Sequence, residues 1–305
     1  LLCRGFHTSI RSMSVNRVHR LPGLDPWDHL AREEVLLDHL DPGASALVLY
    51  VNRPCLVLGK HQNPLREVRL DEAARRGVPL VRRASGGGTV WHDEGNLNWA
   101  WMGPKEGYDR DGVSHRVAEA LAPLGRALVV GDKGDLFWDG KKVSGAAYLV
   151  RRDRILHHGT LLCRAHLEDL RGVLGTTGAL DAWVGVSSRP SPVTNLDCDV
   201  ATVAASLVAT FGGSQVSEDQ GLGDAEFEHG VQDRAEGLRS DQWLWDQTPP
   251  FTWTGQTKVG TVTVTVRGGL VESIEDDRSR NLSKMVGKRF FTAEFFDYIR
   301  SREGV

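Results

Sequence analysis

Arg82-Arg83-Ala84-Ser85-Gly86-Gly87-Gly88-Thr89-Val90-Trp91-His92-Asp93 puts two fixed cations, hydroxyls, three consecutive glycines, an indole, an imidazole and a carboxylate into one short run. Glycine loses more freedom on ordering than any other residue, so a fold that keeps three in a row usually brings backbone close to something. Val78, Leu80 and Val81 predict a strand before the run, which makes the glycines a strand-to-loop corner. Their N–H groups can face an anion or a carbonyl, with Arg82 or Arg83 supplying charge. A tight turn with solvated arginines is the other use of such a run. No Lys-Ser/Thr follows, so the phosphate-cradling P-loop pattern is missing. The Gly-x-Gly-x-x-Gly order is missing too, and Thr89, Val90 and Trp91 favour strand over helix. A phosphate or acyl ligand is therefore compatible with the run, on neither a Walker nor a Rossmann fold.

A second set lies at Gly134-Asp135-Leu136 and Gly140-Lys141-Lys142-Val143-Ser144-Gly145-Ala146-Ala147. Asp139-Gly140 predicts a hairpin turn between strands over 135–138 and 142–150. Lys142, Ser144 and Ala146 then alternate to one face, and Lys141, Val143 and Gly145 to the other. The Gly-Ala-Ala stretch leaves little bulk beside Lys142, so a ligand can lie flat along the strand. Taken alone, the same lysine also fits a solvated hairpin. Ile155 to Leu162 predicts the strand that pairs back across the charged turn Arg151-Arg152-Asp153-Arg154. His157 and His158 fall on opposite faces of it and cannot ligate one metal without distortion, so no metal site is expected. One of them faces the ligand side; the other packs or meets solvent. Cys163, next along, is of the kind most often buried as a small hydrophobe.

In order and spacing these pieces resemble the lipoate–protein ligase and lipoyltransferase family. Tyr50-Val51-Asn52-Arg53-Pro54-Cys55-Leu56-Val57-Leu58-Gly59-Lys60-His61-Gln62-Asn63-Pro64 is similar to that family's early strand pair and Gln-Asn-Pro signature. Gly95-Asn96-Leu97-Asn98 continues the Gly-rich motif as the family does, and Ser188 to Leu196 is similar to its later loop. Trp243 to Phe251 is similar to the junction with its small C-terminal domain. The resemblance covers nearly everything from Asp25 onward.

That resemblance implies an α+β fold: a biotin/lipoate–protein ligase-like catalytic domain, a mixed sheet with flanking helices, and a small α+β C-terminal domain. It implies passage of a lipoyl or octanoyl group through an acyl-adenylate to a lysine amine of an apo lipoyl domain, in 2-oxoacid dehydrogenase E2 subunits or glycine-cleavage H-protein. Lys142, on the family's Lys-x-Ser-Gly lysine, is the implied catalytic residue, stabilising both the phosphate and the developing oxyanion. Arg83 matches a nucleotide-contacting arginine. Gly86, Gly87 and Gly88 let backbone approach the acyl chain and the anhydride. Thr89, Val90 and Trp91 run beside the nucleotide, His92 lies close to the reacting end, and Asp135 holds the adenylate. Ser85, Ser144, Gly145, Ala147 and His158 complete the implied lipoyl-AMP site, and the acyl slot lies near Leu58 and Ala147. For His92 and Asp135 a structural role in a hydrogen-bonded turn stays open. Gly88 stands where related cysteine-dependent octanoyl-transferases carry arginine. Lipoyl-AMP is the implied donor; lipoate and ATP with magnesium are implied if adenylation is retained. A complete lipoate–protein ligase and a non-catalytic binder of lipoyl domains remain the alternatives.

The elements that must position this chemistry fit in 305 residues, enough for one large and one small domain. Net charge is −3, with no basic stripe past the N-terminus, so no nucleic-acid partner is expected. No apolar run approaches the length of a membrane span. The four cysteines lack metal-ligand spacing and suit a reducing compartment. Residues 1–24 hold arginines at 4, 11, 17 and 20, several serines and no acid, the signature of a mitochondrial transit segment and hence of the matrix. A disordered basic tail is the alternative. Asp25-Pro26 predicts a helix start. Within 27–40, Glu34 shares a face with Leu30, Ala31 and Leu37, so it is either buried with a partner, an arginine of the Gly-rich strand being one candidate, or marks a fraying face. Val113, Val117, Leu121 and Leu124 predict a second helix, and 200–211 a third. The polar, Gly- and acid-rich stretch from 212 to 237 predicts a linker. Lys258 to Val266 alternates as a strand, Gly268-Gly269 turns it, 270–274 returns, and a helix over 292–301 closes the unit. The expected division is a catalytic domain over 25–215, a linker over 216–240 and an accessory domain over 241–305.

Overall fold

The computed structural model describes residues 15–177, 179–212, 215–218, 223–257, 260–277, 282–292 and 295. The chain opens with β1 (Arg17–Arg20), α1 (Pro26–His39), β2 (Ala46–Tyr50) and β3 (Cys55–Leu58). Short helices α2 (Pro64–Glu67) and α3 (Leu70–Arg75) lead to β4 (Leu80–Arg82), β5 (Val90–His92) and β6 (Asn96–Pro104). Next come α4 (Arg110–Leu121), β7 (Val129–Val130), β8 (Leu136–Trp138), β9 (Lys141–Ser144), β10 (Ala146–Arg151) and β11 (Arg154–Leu162). They are followed by α5 (Leu167–Val173), β12 (Ala179–Trp183), α6 (Val200–Phe211), β13 (Gln215–Glu218), α7 (Ala225–Arg239) and α8 (Asp241–Leu244). The last strands among the described residues are β14 (Phe251–Thr257), β15 (Gly260–Arg267) and β16 (Leu270–Asp276).

The main sheet runs β10-β11-β6-β2-β1-β13, with β1 parallel to both neighbours and the other pairs antiparallel. Strand alternation splits its side chains between two cores. Leu47, Leu49, Trp99 and Trp101 pack with Val113 and Val117 of α4 and Leu207 and Phe211 of α6. On the opposite face Val48, Tyr50 and Ala100 pack with Leu30 and Leu37 of α1 and Phe227 and Val231 of α7. The helices start where the sequence predicts: Asp25 Oδ1 accepts from Trp27 and Asp28 N–H with Pro26 at the first turn, and Asp199 caps α6 in the same way. Two small sheets, β4-β3-β5 and β7-β8-β9, carry the chemistry-bearing loops. The predicted hairpin turns at Asp139 and Gly140, both at positive φ.

Two elements are not visible in composition. Arg17–Arg20, inside the leader-like 1–24, is a strand of the main sheet with Val18 fully buried. Backbone pairing on both sides puts it there, and Arg/Ser content carries no trace of such pairing. The expected linker over 216–240 is instead mostly α7, capped by Asp224. Its Phe227, Val231, Ala235 and Leu238 recur at helical spacing and are buried. Glu34 finds its partners here and on β10, not on the Gly-rich strand: Arg234 at 2.9 Å and Arg151 at 2.8 Å. The C-terminal sheet, β12-β14-β15-β16, borrows β12 from before α6, so the chain enters that unit twice and crosses between units three times. Most of the helix expected over 292–301 lies outside the described residues.

Candidate active site

β3 pairs parallel with β4 and antiparallel with β5, so the glycines between them fold over the ends of the small sheet. Arg83 organises that turn. Its guanidinium donates to Val57 O (3.0 Å), Ser85 Oγ (2.9 Å), Gly86 O (2.6 Å) and Gly88 O (2.8 Å). Gly87 takes φ +88°, a conformation glycine alone adopts without strain. The approach to Gly59 is close enough that a Cβ there would stand 2.1 Å from Gly87 O. Gln62 secures the outer side: Oε1 accepts from Gly59 N (2.9 Å) and Thr89 Oγ1 (2.8 Å), while Nε2 donates to Ser188 Oγ (3.0 Å). Thr89 N also donates to Ser188 Oγ, at 2.9 Å.

Arg82 is fully buried and donates only to neutral oxygens: Gly59, Lys60 and Gln62 carbonyls, Leu244 O (2.8 Å) and Thr248 Oγ1 (3.0 Å). Neither Arg82 nor Arg83 forms an ion pair among the described residues. Burial lowers both guanidinium pKa values to about 10, which leaves them charged at neutral pH. Arg82 thus stands beside the loop with no counter-ion among the described residues, while the buried Glu33 carboxylate partly offsets Arg83, and the positive field there favours an anion.

Lys142 enters from the hairpin. Its Nζ lies 2.8 Å from Asp135 Oδ2, and Asp135 Oδ1 accepts from Ala146 N at 3.3 Å. Pro192 O and Thr194 N hold its backbone at 2.8 and 3.1 Å. Lys142 borders two neighbouring cavities. One, of about 200 Å³, reaches inward past Val90, His92, Ala147 and His158 to Leu30 and Tyr50. The other, of about 560 Å³, is bounded by Trp91, Ser144, Leu162, Leu170 and the 187–191 segment. Thr89, Val90, Gly145, Thr160, Ser188 and Arg189 line both.

The adjacent histidines do point to opposite faces. His157 Nδ1 bonds Tyr108 Oη at 3.1 Å and its ring lies against Trp99. His158 faces the first cavity; Nδ1 lies 2.7 Å from Glu33 Oε2 and Nε2 2.7 Å from Ser85 Oγ. Tyr50 Oη donates to Glu33 Oε1 at 2.9 Å, closing a buried chain from α1 to Arg83. A second chain runs from Pro22 O to His29 Nε2 (3.0 Å), from His29 Nδ1 to Asn52 Oδ1 (2.7 Å), and from Asn52 Nδ2 to His92 Nδ1 (2.8 Å). Burial, with Arg83, His158 and His29 nearby, lowers the His92 pKa to about 3.

The expected residues divide by position. Arg83, Gly87, Gly88, His92, Asp135, Ala147 and His158 line the first cavity; Trp91 and Ser144 line the second; Thr89, Val90, Lys142 and Gly145 line both. Ser85 and Gly86 line neither and serve Arg83 and His158. Arg83 reaches the cavity wall, yet the bonds it makes are to the loop and to β3. His92 lines the same cavity as Lys142 and is tied through Asn52 to His29 of α1. Leu58 is buried in a separate core with Leu56 and Trp91, and its neighbour Val57 takes the cavity position, because successive strand side chains alternate. The motifs assign no site role to Glu33, Asn52 or Lys133, and Gln62 enters only through the Gln-Asn-Pro signature. Glu33 and His29, one helical turn apart on the buried side of α1, are the signal that could have found the inner chains.

Residues 25–212 match the family described as Lipoyl protein ligase A/B catalytic domain. The chain is 32% identical to Lipoate-protein ligase A of Bdellovibrio bacteriovorus over 242 residues, 75% of this chain and 71% of that protein. It is 33% identical to Lipoate-protein ligase A of Psychrobacter cryohalolentis over 192 residues, 61% of this chain and 57% of that protein. The fold is similar to a T. acidophilum protein assigned as a lipoate protein ligase and solved with bound lipoic acid (TM-score 0.64, 23% identity, 75% of this chain, 99% of that one). It is also similar to P. falciparum LipL1 in complex with lipoate (TM-score 0.65, 19% identity, 84% and 82%). With the catalytic-domain match spanning both cavities, the chain belongs to the lipoate–protein ligase family, whose catalytic domain serves lipoyl transfer to proteins.

Proposed function

We propose that this chain moves a lipoyl group from lipoyl-AMP, or from a lipoylated carrier, to a lysine amine of an apo lipoyl domain. The acceptors are domains such as those of 2-oxoacid dehydrogenase E2 subunits or H-protein. The chain acts in this reading as a mitochondrial lipoyltransferase of the matrix, the compartment to which the composition of residues 1–24 points. The observation that carries the chemistry is Lys142, standing where the two cavities meet. The inner cavity takes the acyl chain and the outer one, beside Trp91, the adenosine. The acyl carbonyl and the phosphate then fall at Lys142. The acceptor lysine, after giving one proton to water, attacks the carbonyl carbon; a C–N bond forms, the C–O bond to phosphate breaks as AMP leaves with the electron pair, and a second proton passes from nitrogen to water. Lys142 Nζ stabilises negative charge on both sides of that bond. The structural analysis of an archaeal lipoylation system, a bi-partite T. acidophilum lipoate protein ligase and its E2 lipoyl domain, supports a lipoyl domain as acceptor.

A complete lipoate–protein ligase is the alternative, favoured by the size of the outer cavity and by a lipoate-protein ligase A solved with ATP. Intact-mass measurement of an apo lipoyl domain tests both. Mass gain with lipoyl-AMP alone fits the transferase, and gain also with lipoate and magnesium ATP fits the ligase. No gain in either reaction refutes adenylate chemistry.

A further inference from the structure

The protonation of His92 is decided outside the cavity it lines. Pro22 O can only accept, so His29 Nε2, 3.0 Å away, carries a proton. With Asn52 Oδ1 against His29 Nδ1, His29 would have to carry a second proton. It would then be an imidazolium, 1% exposed, with no ion pair among the described residues. Burying such a charge is costly. Turning the Asn52 amide by half a rotation exchanges Oδ1 and Nδ2 at the same 2.7 and 2.8 Å separations. Every group is then paired without a buried charge: Asn52 Nδ2 donates to His29 Nδ1, and His92 Nδ1 donates to Asn52 Oδ1. His92 Nε2 is left with its lone pair, and it has no hydrogen-bond partner among the described residues. The low pKa of His92 keeps that nitrogen bare at neutral pH.

His92 also lies away from the reacting end. A Cβ on Gly145 would stand 3.4 Å from Lys142 Nζ and 3.8 Å from Val90 Cγ1, so Val90 marks the Lys142 end of β5. His92 follows two residues on, about 6.6 Å along the strand on the same face. Leu30 and Tyr50 line the cavity on that side.

On the assignment of the inner cavity to the acyl chain, we infer that His92 is a specificity-determining residue. Pro22 O, through His29 and Asn52, fixes Nε2 as a hydrogen-bond acceptor that favours an acyl group with an S–H or O–H donor at its far end. For a lipoyl group that is the reduced dithiol form. A plain alkyl end leaves a buried acceptor unpaired, and the disulfide ring brings sulfur with no hydrogen to give.

Two measurements test this. Histidine ring ¹⁵N spectra of the full chain, with the His92 signals identified by their loss in His92→Phe, should show a protonated Nδ1 and a bare Nε2; a protonated Nε2 overturns the inference. Transfer to an apo lipoyl domain is then compared for dihydrolipoyl-AMP, lipoyl-AMP and octanoyl-AMP. The wild type should favour the dithiol in kcat/KM by roughly tenfold. His92→Phe should erase the preference, and Asn52→Leu should weaken it, with KM moving more than kcat. Equal kcat/KM for the three donors in the wild type overturns the inference. No transfer from any donor refutes the acyl-adenylate reading itself, while the spectra still decide the tautomer.

Discussion

Gly59→Ala is the sharpest perturbation of the Gly-rich loop, because Gly59 touches no ligand cavity and acts on the loop alone. The new Cβ would stand 2.1 Å from Gly87 O, where ordinary contact begins at 3.4 Å, so the carbonyl must retreat by about 1.3 Å. Nothing soft lies in the way to absorb this. Behind the loop, Gly87 faces Arg83 and Ala147, and Arg83 is already bonded to Gly86 O and Gly88 O. Retreat therefore narrows the first cavity and pulls the loop carbonyls from the guanidinium. Overpacking of this kind costs about 1–3 kcal/mol, less than the total stability of a typical domain, so the variant should still fold. A misplacement of ~1 Å near reacting groups can cost about a hundredfold in rate. We expect lipoyl transfer from lipoyl-AMP, followed by intact mass of an apo lipoyl domain, to fall by that order while urea unfolding shifts only modestly. Gly43→Ala is the control: φ is +77° there, with nothing within 4 Å, so it should lose stability without losing transfer. Gly59→Ala with transfer within threefold of wild type would refute the packing we assign to the loop.

Lys142→Ala should lower transfer by about 10²- to 10³-fold, the scale of losing one preorganised oxyanion donor. Its unfolding midpoint should barely move, since the pair with Asp135 is about a quarter exposed on each side; transfer within tenfold of wild type would sink the catalytic assignment. The His92 pKa of about 3 lies below the ordinary 6.5, so unfolded chains bind a proton that folded ones refuse. Stability from this group is complete above pH 6.5 and falls as pH drops toward 3, by about 1.4 kcal/mol per unit. Urea midpoints at pH 7 and 5 should diverge more for the wild type than for His92→Phe; equal divergence would show His92 already protonated or solvated. Cys163 is buried and its thiol is pushed up to about 12, so native chain at pH 8 should resist iodoacetamide there and react only when unfolded, as peptide mass spectrometry would show. Glu34 is 5% exposed, whereas its partners Arg151 and Arg234 are partly exposed. Replacing both arginines by Met should therefore destabilise by about 3–5 kcal/mol, and Glu34→Gln by less, because free arginines reach water and a stranded carboxylate does not. Equal losses in urea unfolding would contradict that asymmetry.

Local signals made much of this legible. Asp25-Pro26 announces α1, Asp139-Gly140 announces the hairpin, and the His157-His158 doublet divides as strand alternation requires. Most of the errors concern residues whose state is set by distant partners. Val18 is the lone apolar residue of β1, and its strand exists because β2 and β13 pair on both sides. The helical spacing of Phe227, Val231 and Ala235 was present in the sequence, but glycines and acids around it gave the composition of a linker. In the site, motif order led to Lys142, Arg83 and Asp135, whereas Asn52 and Glu33 gain meaning only from the rings they meet 40 and 125 positions away. His92 gains its partners in the same way. A position two residues past Val90 fixes its face on the strand, and only the contact with α1 shows which end of the cavity that is.

The cations of the site are not equivalent, and hydrogen-bond accounting says why. Arg83 directs four N–H donors to protein oxygens, and Arg82 is likewise enclosed by carbonyls and a hydroxyl. A guanidinium has five donors in a rigid fork, so neither side chain can turn to a ligand without undoing the loop that it shapes. They contribute field and form. Lys142 has three rotatable donors and meets Asp135 through one short contact, which leaves two for oxygens of an anhydride. Its stem is flexible and the pair is partly solvated, so the ammonium can follow charge from carbonyl to phosphate as the bond breaks. An arginine at 142 would instead lock onto Asp135 in bidentate fashion. Lys142→Arg should therefore keep the charge and still lose most of the transfer rate, and near-normal transfer by that variant would mean the site needs only a positive field there.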